Sequence, residues 1–253
     1  MLLRRITQHV RDQNWFAVFL DFLIVVVGIL IAFQINAWSD RQADKRALHV
    51  ALERLYEEIQ TNIATIDKYS KRHTDIMTAG QTLLKRVRDP KLNSVPIELI
   101  AKVFVNGFTT DYSTSALTAV LGQQTFQGLQ SNELRPLISS LPAEYLDAME
   151  DEQTVIQLVD THWVAYISQH LPVGPLWASS YKGTEWESYF MSAKAADDFD
   201  AVSVPEFKKL ATTLIFQNEI INRAEYERLI LIEQQELRDV LEKALALIEA
   251  EVK

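Results

Sequence analysis

The chain has 253 residues, 48% of them hydrophobic and 23% charged, with seven Gly and seven Pro; that is enough chain to bury a core and too little Gly and Pro for wholesale disorder. It holds no Cys, which excludes disulfide frameworks, thiol catalysis, thiolate zinc sites and iron–sulfur clusters together. Its formal charge of −9 is unevenly spread, because residues 1–38 carry Arg4, Arg5 and Arg11 against Asp12 and Asp21, a net of +1 that leaves −10 for the remainder, and a body that acidic repels nucleic-acid phosphates.

Residues 1–14 read as a short basic N-terminus. The run 15–38, from Trp15 to Trp38, contains fifteen Phe, Leu, Ile or Val residues between Phe16 and Ile35. At about 1.5 Å per residue it is long enough to cross a hydrocarbon core of about 30 Å. One Asp within the span costs about 2.5 to 3.5 kcal/mol when central, against gains of roughly 0.3 to 0.6 kcal/mol for each large apolar residue, so insertion is expected. Trp15 and Trp38 then serve as membrane-interface anchors. A cleaved secretory signal is the rival reading, since the three Arg form a basic n-region; the long apolar stretch, its internal Asp and the lack of a small-x-small cleavage site after Phe33 count against it. Basic residues number three before the span and four soon after it (Arg41, Lys45, Arg46, Arg54), so the charge count does not decide orientation. A short basic N-terminus commonly stays in the cytoplasm while a long domain is translocated, which places residues 39–253 in the periplasm of a bacterial inner-membrane protein.

On a helical wheel Ala17, Asp21, Gly28 and Ala32 share one side of the span, with Val25 and Asn36 close by. A small, polar face of that kind suits helix–helix interaction with a second copy or another membrane subunit. The alternative is that Asp21 lies near the headgroups, simply hydrated, with Gly28 incidental.

Beyond the span no Pro or Gly occurs until Gly80, and Leu48, Leu52, Leu55, Ile59, Ile63 and Ile66 repeat at spacings of three and four. That periodicity predicts a helix, continued through Tyr69, His73, Ile76, Leu83 and Val87 to a stop at Asp89-Pro90. Span and helix together can form one rod. Shorter helices are expected at 96–104 and at 113–122, the latter with Ser113 as a cap. Another opens at Asn132 and closes near Pro142, and a longer one runs from Pro142 to about His170 with Tyr145, Met149, Ile156, Val159, Trp163 and Ile167 along it. Pro172, Gly174, Pro175 and Gly183 mark 171–203 as a long irregular connection, whose Trp177, Tyr181 and Trp186 form either a binding surface or a satellite core. From Ser203 a second long helix is expected to reach Lys253, with a stripe of Phe207, Leu210, Leu214, Ile221, Leu229, Ile232, Leu237, Leu241, Leu245 and Ile248. The fold class that follows is all-α, with one N-terminal transmembrane helix continuing into an antiparallel bundle of long helices.

The stretch Gln13-Asn14-Trp15 followed by 20–38, with its Val27-Gly28-Ile29 and Gln34 to Trp38 exit, resembles an uncharacterised family of single-span bacterial membrane proteins. The pattern Tyr112 to Leu117, then Phe126, Leu129 and Asn132 to Arg135, is similar to that family's second motif. Ser39-Asp40 departs from the Asn-Glu common after the Trp. The resemblance implies a bacterial membrane protein and carries over no catalytic residue.

No motif supplies a reaction. The five His (His9, His49, His73, His162, His170) lack the spacing of a helical zinc site, and His73 on the apolar stripe reads as a hydrogen-bonded core residue. Asp160 and His162 fall on different faces of a helix. Ser179-Ser180-Tyr181-Lys182 matches the serine–lysine start of penicillin-recognising enzymes, but no S-D-N or K-T-G partner follows. No phosphate-binding glycine loop is present. No catalytic residue, cofactor or metal is therefore expected. The expected function is a non-enzymatic accessory or scaffold protein held in the lipid bilayer, a homo-oligomer or a subunit of a membrane complex, with no nucleic-acid partner. The alternatives are a periplasmic ligand-sensing module with Asn62, His73, Asn218, Asn222 or Arg223 near the bundle interior, and an envelope enzyme using Lys182 or His170. The few residues before the span leave no room for a signalling output, so a sensor would work through a partner helix.

Overall fold

The computed structural model of the chain describes residues 15–91, 95–182 and 204–253, without the side chains of 15–18, 21 and 204–206. These residues are all-helical, with no strand. Helix α1 (Trp15–Val87) is a single unbroken rod of 73 residues, about 110 Å long. Its first part, among the described residues the one segment long and apolar enough to span a membrane, is not buried against any of them. Burial begins at Leu48, so the residues 39–47 form a bare helical neck of about 14 Å. From there Leu48, Leu52, Leu55, Ile59, Asn62, Ile66, His73, Ile76, Leu83 and Val87 turn inward, a seven-residue repeat that keeps one face on a partner helix.

Short helices α2 (Ile97–Phe104), α3 (Ser115–Leu121) and α4 (Gln124–Gln127) follow, then α5 (Leu134–Leu158), a π-helical turn (Val159–Trp163) and α6 (Val164–Ser168). Pro142 does not divide two helices, as expected, but lies inside α5. The turn survives the roughly 3 kcal/mol that an internal Pro costs because Leu141 and Tyr145 beside it are buried. Buried positions on α5 repeat as Leu134, Ile138, Leu141, Tyr145, Ala148, Glu152 and Val155. The π turn then adds a residue to the repeat, which keeps Val159 and Trp163 inward and leaves His162 half-exposed beside Glu219 at 3.1 Å.

The expected loop at 171–203 is helical where it is described: α7 (Val173–Tyr181) occupies its start, with Pro175 in the first turn, where no backbone donor is lost. The expected final helix is two. Helix α8 (Val204–Ala211) stops, and Thr213 starts α9 (Leu214–Val252) by accepting from the Phe216 N–H at 3.2 Å. Helix α9 runs back along α1 and also packs on α5. At Gly80 the two rods are close enough that an added Cβ would lie 3.4 Å from the Ala224 Cβ. The C-terminus returns to the start of the bundle, where Val252 and Lys253 share a cleft with Glu53 and Tyr56.

The apolar interior is split in two. One cluster, near the neck, gathers Leu52, Leu55, Ile59, Leu134, Leu141 and Leu241; the other, at the far end, gathers Leu83, Ile100, Phe104, Trp163, Phe216 and Ile230. Burial of each such side chain contributes about 1.5 to 3 kcal/mol. Between the clusters, α1 presents His73, α5 Glu152 and α9 Glu227 and Gln234, all buried.

Candidate functional site: a buried ionic layer and the cleft beside it

An extended segment, 106–114, explains why charged residues occupy core positions. It runs without secondary structure against the long helices, and buried backbone with no helical or sheet partner must find one elsewhere. Each long helix supplies it. Arg223 Nη2 on α9 donates to the Asn106 carbonyl at 2.6 Å. Glu152 on α5 accepts the Thr110 N–H and hydroxyl, each at 2.6 Å. Asn62 on α1 accepts the Ser113 N–H at 2.9 Å and donates Nδ2 to its carbonyl at 2.8 Å. A few residues on, Glu58 takes the N–H groups of Ala116 and Leu117 and the hydroxyls of Ser113 and Ser115. It thereby caps α3 from another helix. Ser113, expected to cap that helix itself, donates to Glu58 instead.

His73 joins the ionic groups. Its Nδ1 lies 2.7 Å from Glu227 and its Nε2 3.3 Å from Glu152, so the imidazolium, a donor at both nitrogens, fits the site. Burial disfavours that charge, but the hydrogen bonds that His73 donates to Glu152 and Glu227 and their negative charge overcome it and raise the His73 pKa above its ordinary value. Gln234 donates to Glu152 at 2.8 Å and accepts from Ser70 at 2.6 Å. Arg223 sits 2.7 Å from Glu227 as an ion pair out of hydrogen-bonding alignment, and its guanidinium lies 5.0 Å from the Trp163 ring. Its Nε and Nη1 have no acceptor, and burial lowers its pKa to about 10 against the pull of Glu227. Two cations thus face two carboxylates in a layer closed to water.

The Glu58 end is built differently. Burial pushes the Glu58 carboxyl up, but the backbone donors of Ala116 and Leu117 and the two Ser hydroxyls reverse this and hold it below the ordinary range. Burial pushes the nearby Tyr145 phenol up to about 12 despite the Asn62 hydrogen bond, with Glu58 adding to the rise; it accepts from Asn62 Nδ2 at 2.8 Å.

Beside the ionic layer lies a cleft of about 320 Å3. Arg72 of α1 rests on the Phe108 ring, 4.0 Å from its centroid, and Phe108 in turn contacts the His73 ring at 4.5 Å. The π turn contributes Asp160, and α7 contributes Trp177 and Tyr181, stacked at 5.9 Å and 11°. Ser180 donates to the Asn106 side chain, tying α7 to the segment whose carbonyl holds Arg223.

The expected site residues fall in separate places. The helix carries Trp15, Ala17 and Asp21, whose side chains lie outside the described residues; Ala32 and Trp38 are exposed, and among the described residues nothing lies within 4 Å of a Cβ placed on Gly28. Trp177 and Tyr181 meet at the cleft, and Trp186 lies outside the described residues. Asn62, His73 and Arg223 are buried, whereas Asn218 and Asn222 are exposed. Ser179 is on α7 and Lys182 just beyond it, and His170 contacts Tyr166 at 5.3 Å. The spacing analysis missed Glu58, Thr110, Glu152, Glu227 and Gln234. Glu152, Glu227 and Gln234 interrupt an apolar repeat on a long helix, which was the available signal; Glu58, beside Ile59 of the α1 repeat, and Thr110 carried none.

No known protein family, curated protein or solved structure matches the chain.

Proposed function

We propose that the chain is a membrane-anchored, non-enzymatic scaffold or accessory protein of the bacterial inner membrane, with its N-terminus in the cytoplasm and its bundle in the periplasm. The observation that carries this reading is the continuity of α1 from an unburied apolar segment into the core. A span fused to a bundle by one helix, without a hinge, transmits position and rotation between membrane and periplasm. Its exposed apolar surface has no cover among the described residues, and the small residues Gly28 and Ala32 lie on it, which suits contact with a second copy or a membrane subunit. Membership of the single-span bacterial family that the exit from the span resembles belongs to the same proposal.

The test is purification of the tagged full chain from its own membranes in mild detergent, beside Asp21→Leu and Gly28→Leu variants. A defined oligomer or a stoichiometric partner that is lost in the variants is the expected result. A monomer without companions in every sample overturns the reading. A second reading, ligand sensing, is favoured by the cleft, whose Arg72 and Phe108 connect through His73 to the helix that enters the membrane.

A further inference from the structure

The cleft offers two charges that the fold itself does not use. Among the described residues neither Arg72 nor Asp160 forms an ion pair or hydrogen bond with another side chain; Arg72 only covers the Phe108 and Tyr69 rings. Both are exposed, so neither is forced into place by burial. They come from different elements, α1 and the π turn, and an extra residue in a helix is a feature found often at functional sites. Stacked on a ring face, a guanidinium keeps its edge N–H donors free for a carboxylate. Asp160 is an acceptor for an ammonium group. The rest of the lining combines the Trp177–Tyr181 stack, Phe108, Ile156 and Val159 with the polar Asn106 and Ser180, which bond to each other. At about 320 Å3 the space is at the small end of ligand sites, which run from about 300 to 1,000 Å3.

One cation, one anion and an aromatic wall in so small a volume match a small zwitterion with an apolar side chain. The geometry points to a binding site for a free amino acid of the aromatic class, with its carboxylate on Arg72, its ammonium on Asp160 and its ring against Trp177. This deepens the sensing reading and rests on it for its consequence: the occupied cleft would press on Phe108 and Asn106, the residues that touch His73 and hold Arg223.

Calorimetric titration of the full chain in detergent micelles tests it with three probes: phenylalanine, 3-phenylpropionate, which lacks the ammonium, and phenethylamine, which lacks the carboxylate. Saturable binding of phenylalanine is expected, with each truncated probe weaker by roughly tenfold, the cost of one charge-assisted hydrogen bond. Arg72→Gln should weaken phenylalanine and 3-phenylpropionate by a similar factor and leave phenethylamine unchanged; Asp160→Asn should do the reverse. Both positions are exposed, and an unchanged thermal melt verifies that each variant is folded. No saturation by any probe at millimolar concentration, equal affinity for all three, or affinities indifferent to both substitutions would each overturn the site. Those outcomes leave the anchoring reading intact, because it is judged by association in the membrane. If phenylalanine binds as expected but the His73 ring signals in NMR spectra do not move, the site stands and the sensing route through Phe108 fails.

Discussion

The two ends of the 106–114 segment face the same problem and solve it with different chemistry. At the far end, the Asn106 and Thr110 backbone is held by Arg223 and Glu152, and those charges need His73 and Glu227 to balance them. At the near end, the Ser113 backbone is held by the neutral amide of Asn62, and the one charge, Glu58, rests on four neutral donors at a helix start. A neutral donor set works at any pH near neutrality. A balanced set of buried ions depends on every member keeping its charge, and it leaves two Arg223 donors unmatched. The far end is therefore the more switchable half of the bundle, because its hold on the backbone needs paired charges.

The largest effect is expected from Glu152→Leu, which strips the acceptor from Thr110, Gln234 and His73 together. A loss of about 3 to 5 kcal/mol, or a drop of roughly 10 °C in the melting temperature of the full chain in micelles, is the outcome. A loss under about 1 kcal/mol would show that the segment does not depend on this end. Next comes Asn62→Ala, which unpairs one backbone N–H and one carbonyl of Ser113 at a cost of about 2 kcal/mol. Urea unfolding at several pH values should show that cost unchanged between pH 6 and 9.

The two ends should also part company with pH. The raised His73 pKa contributes stability that is complete below about 6.5, the unfolded value, and is lost as pH rises through the folded value. The lowered Glu58 pKa contributes stability present above the usual carboxylate range and lost as pH falls through the folded value. Melts across pH should therefore show an alkaline flank that His73→Gln flattens and an acid flank that Glu58→Gln reduces. An alkaline flank that persists in His73→Gln would assign the dependence to another group. The smallest effect is expected at Gly107, where an added Cβ would come within 3.3 Å of Ile156 and 3.5 Å of Val159. Gly107→Ala should cost about 1 kcal/mol, read as a small fall in melting temperature and a shift of the Trp177 fluorescence in the neighbouring cleft.

Much of this architecture is written along the chain. Apolar residues at spacings of three and four marked α1 from Leu48 to Val87, and the stop at Asp89-Pro90 fell within two residues of the helix end. Composition was enough for the apolar segment and periodicity for the all-helical class, because a helix satisfies its own backbone and shows one face to its neighbours, both of which are local properties. What the chain alone concealed was phase. On α9 the apolar residues Leu214, Ile221, Leu229 and Ile232 match the spacing of a core stripe, yet they are exposed, while Arg223, Glu227 and Gln234, two positions from Ile221, Leu229 and Ile232, are buried. The buried set Phe216, Ile220, Arg223, Glu227, Ile230, Gln234, Leu237, Leu241, Ala244 and Ile248 is a regular seven-residue repeat whose polar members read as surface. They are inside because an irregular segment more than a hundred residues away brings Asn106 and Thr110 against them, and a buried backbone donor or acceptor left alone costs more than placing a paired charge beside it. Periodicity and hydropathy therefore determined most of the helices and the long apolar N-terminal segment. Only tertiary structure decided which face of α9 is inside, which residues cap α3, and that Arg72, Asp160 and Trp177 share one cleft, since each depends on contacts between parts of the chain that no local pattern records.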